Sequence, residues 1–144
     1  MKTNAWKIGT LMAISVLVLL QATSAYGQTS TRYNIPFQFL AGDQMMPAGQ
    51  YLARLDLGSR TLNLRHESGI SVLSLRVIPG KRSLDPVEEG KLLFKAYGNA
   101  KVLARVWTHG VADASDLPVS KAERELARTE RAGSTIEIAF APAK

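Results

Sequence analysis

Lys91 to Trp107, KLLFKAYGNAKVLARVW, carries apolar residues at every second position on both sides of a Gly98-Asn99 pair. A period of two belongs to a β-strand, whose side chains point alternately to opposite faces, and two such runs about a short turn predict a hairpin. A two-residue Gly98-Asn99 loop would set Phe94 opposite Leu103 and mix apolar with charged residues on both faces. A three-residue loop, Tyr97-Gly98-Asn99 or Gly98-Asn99-Ala100, instead groups Leu92, Phe94 and Ala96 with Val102, Ala104 and Val106 on one wholly apolar face. The pattern therefore predicts the three-residue loop. The opposite face then carries Leu93, Lys95, Leu103, Arg105 and Trp107, with Tyr97 and His109 at its ends.

Upstream of the hairpin the same period recurs from Tyr33, so the region reads as antiparallel β. Ile35, Phe37 and Phe39 share one face of a first strand, with Asn34 and Gln38 on the other. Pro36 has no N–H to donate, which predicts an edge position. The segment 41–49, AGDQMMPAG, supplies turn residues. Gly49 to Leu57 then sets Tyr51, Ala53, Leu55 and Leu57 against Leu52, Arg54 and Asp56, one buried face and one wet. Gly58-Ser59 turns the chain into Thr61 to His66, with Leu62 and Leu64 inward, which completes a hairpin. In Ile70 to Ile78 the parity changes, and either a bulge near Val72 or a strand covered on both faces accounts for it. Residues 79–90, PGKRSLDPVEEG, combine prolines, glycines and charges and read as a solvated crossover loop.

Downstream, Ser120 and Glu123 form an S-x-x-E capping box just after Pro118, and Gly133 offers a stop, so a helix is expected over about 120–132. Lys121 with Glu125 and Glu125 with Arg128 add charge pairs. Ala122 and Leu126, with Ala127 or Thr129, make a narrow apolar stripe, and the expected resting place of the helix is Trp107. Ser134 to Phe140 alternates again and reads as a closing strand. The fold class is thus all-β: an antiparallel β-sandwich or small barrel of about seven or eight strands, with one C-terminal helix before the last strand.

The amino terminus reads as an export signal. Lys2 and Lys7 precede an apolar run over 8–20, IGTLMAISVLVLL, and the small residues Ala25 and Gly27 suit cleavage before Gln28. An uncleaved membrane anchor is the competing reading. The expected organisation is a signal peptide over 1–27 and a single β domain over 28–144, exported to the periplasm or the medium and off the membrane once the leader is cleaved. With no cysteine in its 144 residues, the chain has no disulfide, no lipobox and no thiolate metal site. Removing Lys2 and Lys7 from the 18 basic residues leaves a mild, diffuse excess over 12 acidic ones, unlike the basic stripe of a nucleic-acid binder.

Chemistry is thinly signalled. No GxSxG elbow, HExxH helix, P-loop or GxGxxG turn occurs. His66-Glu67, and His109 with Asp113 and Asp116, are the only arrangements resembling a metal site or a base with its orienting carboxylate. Asp85, Glu88 and Glu89 lie too close along one loop for a glycosidase pair. No enzyme, metal or cofactor is expected. Lys95, Tyr97, Arg105, Trp107 and His109 make the one candidate ligand platform, since aromatic rings flanked by cations stack on sugars or hold anionic groups. Packing under a neighbouring element is the competing role for those aromatics.

The stretches NIPFQFLAGDQMMPAGQYLARL (34–55) and KLLFKAYGNAKVLARVWTHGVADASDLPVSKAERELA (91–127) resemble a group of small exported proteins of acidobacterial type. That group shows a PFxF start, a PAGxY turn and strand, an F-x-x-YG hairpin, a W-T turn and an LPxSKAERELA helix. The resemblance implies an architecture and carries no mechanism. Ala96 and Lys101-Val102 stand where such proteins often have Arg and aromatic residues, a departure that weakens an aromatic platform. The expected function is a non-enzymatic binding or envelope-associated module, with a glycan or envelope component as partner. The alternatives are a carrier of an apolar small molecule inside a barrel and, third, a hydrolase using His109.

Overall fold

The computed structural model describes residues 30–69, 71–82 and 88–139. The leader, Ile70, Asp85 and Phe140 lie outside the described residues. The chain starts with β1 (Ser30–Ile35), in which Tyr33 and Ile35 point inward. Pro36 ends it, because no ladder bond can form there. Over residues 36–38 the chain crosses to a second layer and resumes as β2 (Phe39–Ala41), which turns through Gly42, at φ 61°, into β3 (Gln44–Met46). The segment read as a turn therefore contains a short hairpin. Among the described residues β1 pairs with β4 (Gly49–Asp56) alone, so it lies at an edge there.

β4 and β5 (Thr61–His66) form the expected hairpin, with Asp56 opposite Thr61, and β6 (Val72–Arg76) follows. These four strands make one antiparallel sheet in the order β1-β4-β5-β6. Leu57, expected inward, is exposed because β4 ends at Asp56, whose carboxylate turns to accept the Gly58 and Ser59 N–H groups. The register of β6 against β5 runs unbroken from Val72 to Arg76, so no bulge exists there. Val72 is exposed while Leu73 and Leu75 face the core and Val77 is buried. After Val77 the chain changes sheet and continues as β7 (Ile78–Arg82), which replaces the first part of the expected loop.

The second sheet has the order β11-β8-β9-β10-β7, built from β8 (Lys91–Tyr97), β9 (Ala100–Trp107), β10 (Asp113–Asp116) and β11 (Ala132–Ala139). β2 joins it by a parallel contact between Leu40 and Val102. The two sheets pack as a mostly antiparallel β-sandwich. Among the described residues the strands number eleven, because runs that read as continuous divide where the chain changes sheet. Tyr33, Ile35, Tyr51, Leu62 and Leu64 from one layer meet Phe39, Met46, Leu92, Phe94 and Leu103 from the other, all fully buried. Phe39 sits edge-on to Tyr51 and to Phe94, each with ring centroids 5.3 Å apart, and Phe37 edge-on to Phe94 at 5.2 Å. Each such side chain contributes about 1.5 to 3 kcal/mol of burial, which holds the fold without a disulfide.

The β8–β9 hairpin corrects the expected loop. Tyr97 pairs with Ala100 across a two-residue Gly98-Asn99 turn, with Gly98 at φ 54°, and Phe94 faces Leu103. The extra residue sits in the strand instead: the register shifts so that Leu93 faces Arg105, leaving Ala104 as a bulge whose carbonyl accepts the Leu117 N–H at 2.9 Å. Leu103 therefore points into the core and Val102 to the outer face. Periodicity could not separate the two arrangements, because Val102, Leu103 and Ala104 are all buried, the outer position by other elements.

The covering element is α1 (Lys121–Thr129). Ser120 caps it, accepting the Glu123 N–H at 3.1 Å, and Asp43 from the β2–β3 turn accepts the Ala122 N–H at 2.9 Å. The Ser120 half of the capping box forms, whereas the Glu123 carboxylate turns to Tyr97 and Lys95, and Asp43, distant in sequence, satisfies a further N–H of the first turn. The helix stops at Thr129 rather than near Gly133, because Glu130 is extended and its N–H closes on Leu126 O. Only Glu125–Arg128 of the two expected charge pairs forms among the described residues. Ala122 and Leu126 rest on Leu40, Tyr97 and Val102, not on Trp107.

Candidate functional site

The outer face of the β8–β9 hairpin divides into a covered half and an open half. At the turn end, Tyr97 is buried beneath α1 and donates its hydroxyl to Glu123 at 2.9 Å, while Lys95 reaches the same carboxylate oxygen at 3.2 Å. Glu123 lies in the first turn of α1, where a negative charge is favoured by the helix dipole. Burial, then the hydrogen bond and charge of Glu123, raise the Tyr97 pKa. These contacts fasten the helix to the sheet and commit Lys95 and Tyr97 to packing.

At the other end lies an open cleft of about 360 Å³. Direct cross-strand pairing places Lys91 beside Trp107 and Leu93 beside Arg105, with Glu137 of β11 next to Leu93. Lys81 and Arg82 of β7 complete the lining. Lys91 Nζ and Arg105 Cζ each stand 5.3 Å from the Trp107 ring centroid, within cation–π range. Arg105 donates from Nε and Nη2 to the two oxygens of Asp116, the latter at 2.8 Å. Those hydrogen bonds push its guanidinium pKa up, against the opposing effect of burial. Gly80 makes room for that carboxylate: a Cβ there would stand 2.7 Å from Asp116 Cγ.

His109 stands apart. It is exposed, and its Nδ1 donates to the Glu88 carbonyl. Asp113 pairs with Arg82 and Asp116 with Arg105, so neither is its partner. His66 packs edge-on against Tyr51, centroids 4.9 Å apart, with Nδ1 accepting the Ser68 N–H at 3.2 Å. Among the described residues no three His, Asp or Glu side chains come together as a metal site would require. Of the five expected platform residues, then, the structure brings Arg105 and Trp107 together, buries Tyr97 under the helix, ties the half-exposed Lys95 to Glu123, and leaves His109 elsewhere.

No family model, curated protein or solved structure matches this chain. The site rests on its own geometry.

Sequence reading missed Lys81, Arg82, Lys91 and Glu137 as cleft residues, and set Asp116 beside His109 where the structure gives it to Arg105. Lys91 was recoverable, because any register that pairs Leu92 with Val106 also pairs Lys91 with Trp107. Lys81 and Arg82 carried no such signal, since they lie in a segment rich in turn residues that becomes strand only by pairing with β10.

Proposed function

We propose that this chain is an exported, non-enzymatic binding module of the cell envelope that takes its ligand in the open cleft at Trp107. The observation that carries the reading is the partly exposed indole flanked by Lys91 and Arg105 in a cleft of about 360 Å³, at the lower end of the range for small-ligand sites. The leader pattern over 1–27 supports export. The interior is filled by Tyr33, Tyr51, Phe39 and Phe94, which favours a surface site over a carrier's internal one. The pairing of Asp113 and Asp116 with arginines, and of His109 with a backbone carbonyl, favours binding over hydrolysis. The motif resemblance to small exported proteins fits the same reading.

Two measurements test it. Expression in a Gram-negative host, followed by intact mass of the product, should show cleavage before Gln28; retention of residues 1–27 in the membrane fraction would overturn the export reading. In the Trp6→Phe chain, Trp107 is the only tryptophan. Its emission should be quenched by acrylamide and should change saturably with one member of a glycan panel. An indole shielded from acrylamide would refute the cleft as a binding site.

A further inference from the structure

The acidic partners around the Trp107 cleft differ in how firmly they hold their cations. Asp116 grips Arg105 through two parallel hydrogen bonds, both side chains being 26% exposed, and this planar pair fixes the guanidinium beside the indole. Arg82 and Asp113 stand 3.5 Å apart with side chains 79% and 63% exposed, and Lys91 and Glu137 stand 3.3 Å apart at 33% and 52%. Exposed pairs of that kind contribute little and exchange readily with another anion. Lys81 has no acidic partner among the described residues. Among the described residues, three cations on weak or absent acidic partners, Lys81, Arg82 and Lys91, thus line the cleft with Trp107, whose ring also has the Arg105 guanidinium beside it.

Resting on the reading of this cleft as the binding site, we infer that its ligand is an acidic saccharide, bearing carboxylate or phosphate groups. A neutral sugar approaching Trp107 meets Lys91 and Arg105 beside the ring and brings no charge to offset theirs. An anionic one takes the places of Asp113 and Glu137 at Arg82 and Lys91 and adds a partner for Lys81. Glu137, once released from Lys91, is an acceptor for hydroxyl groups, which favours a polyhydroxylated ligand over a bare anion. The concave shape works against a lipid surface. Among the described residues, none of the large exposed apolar side chains, Met45, Leu52, Leu57, Val72, Ile78 and Val119, lines the cleft to anchor it in a bilayer.

The test uses the Trp6→Phe chain, with Trp107 emission as readout. Tetragalacturonate, glucose 6-phosphate, neutral maltotetraose, inorganic phosphate and phosphatidylglycerol vesicles are titrated in turn. A saturable response to tetragalacturonate or glucose 6-phosphate is expected, at least tenfold tighter than to maltotetraose and inorganic phosphate. It should weaken at least tenfold between 50 and 500 mM salt, as screening shortens the reach of the charges. Lys81→Glu, at an exposed position, should weaken it at least fivefold with the urea midpoint unchanged, and Lys81→Arg should restore it. Equal binding of maltotetraose would overturn the inference while leaving the cleft as the binding site. Preference for vesicles or inorganic phosphate would overturn the saccharide assignment. Silence towards every probe would overturn the inference and count against the cleft as well.

Discussion

Replacing Glu123 by alanine removes a carboxylate that is only 3% exposed and joins helix to sheet. Three contributions set the cost. The Tyr97 hydroxyl, itself buried, loses an ionic acceptor at 2.9 Å, and a buried hydrogen bond to a charged group is worth about 1.5 to 3 kcal/mol. The Lys95 pair at 3.2 Å, with the lysine side chain 41% exposed, adds less than about 1 kcal/mol. The favourable charge in the first helical turn adds about 0.3 to 1 kcal/mol. Removing a buried carboxylate also relieves its desolvation, which offsets part of the total. A net loss of about 2 to 3 kcal/mol is expected, a fall in Tm of about 10 °C for a domain of this size. Urea unfolding of the single variants Glu123→Ala and Tyr97→Phe, and of the double variant, should give a coupling of about 1.5 kcal/mol. Glu123→Gln, which keeps an acceptor for Tyr97, should cost about half as much as alanine. Additive single variants, or a loss below about 0.5 kcal/mol for Glu123→Ala, would show that Tyr97 and Glu123 do not couple helix to sheet.

Burial pushes the Tyr33 phenol from 10.0 up to about 12, with a smaller opposing effect from Thr31. The folded state therefore keeps a proton that the unfolded chain loses above pH 10, so a contribution of about 3 kcal/mol, complete below pH 10, should vanish between pH 10 and 12. Urea midpoints across that range should fall, and Tyr33→Phe should flatten the decline. Gly49, at φ 149°, faces the His66 ring so closely that a Cβ would stand 3.1 Å from Cδ2, whereas Gly69, at φ 74°, faces open space. Gly49→Ala should cost about 2 kcal/mol or more and Gly69→Ala about 1 kcal/mol; equal costs would mean that the His66 contact yields freely. Phe94→Ala, at the centre of the aromatic cluster, should cost about 3 to 5 kcal/mol by chemical denaturation.

Much of the local structure was legible. The alternation of Tyr51 and Ala53 against Leu52 and Arg54 marked β4 correctly, and Leu62 and Leu64 marked β5. Pro36 announced an edge, and Ser120 announced the helix start three residues before the N–H it caps. The candidate site was half legible. Trp107 and Arg105 share a face in the structure, as their spacing requires, but the same rule grouped them with Tyr97, which α1 covers, and with Lys95, which pairs with Glu123 of that helix.

What the residues of each segment settle by themselves is the strand period, the turn positions, the proline break and the capped helix, because these depend on neighbours a few positions apart. Position in the sandwich depends on partners far along the chain. Only the folded molecule puts the spare residue of the hairpin at Ala104, since Val102 is buried by Leu40 and α1 and is as apolar as a core residue. Only there do Lys81 and Arg82 become strand, by pairing of β7 with β10, and line one cleft with Trp107. Asp43 caps a helix 79 residues away from it in sequence. The physical reason is common to all three: a buried outer face, an edge pairing and a long-range cap are satisfied by groups that no local window contains.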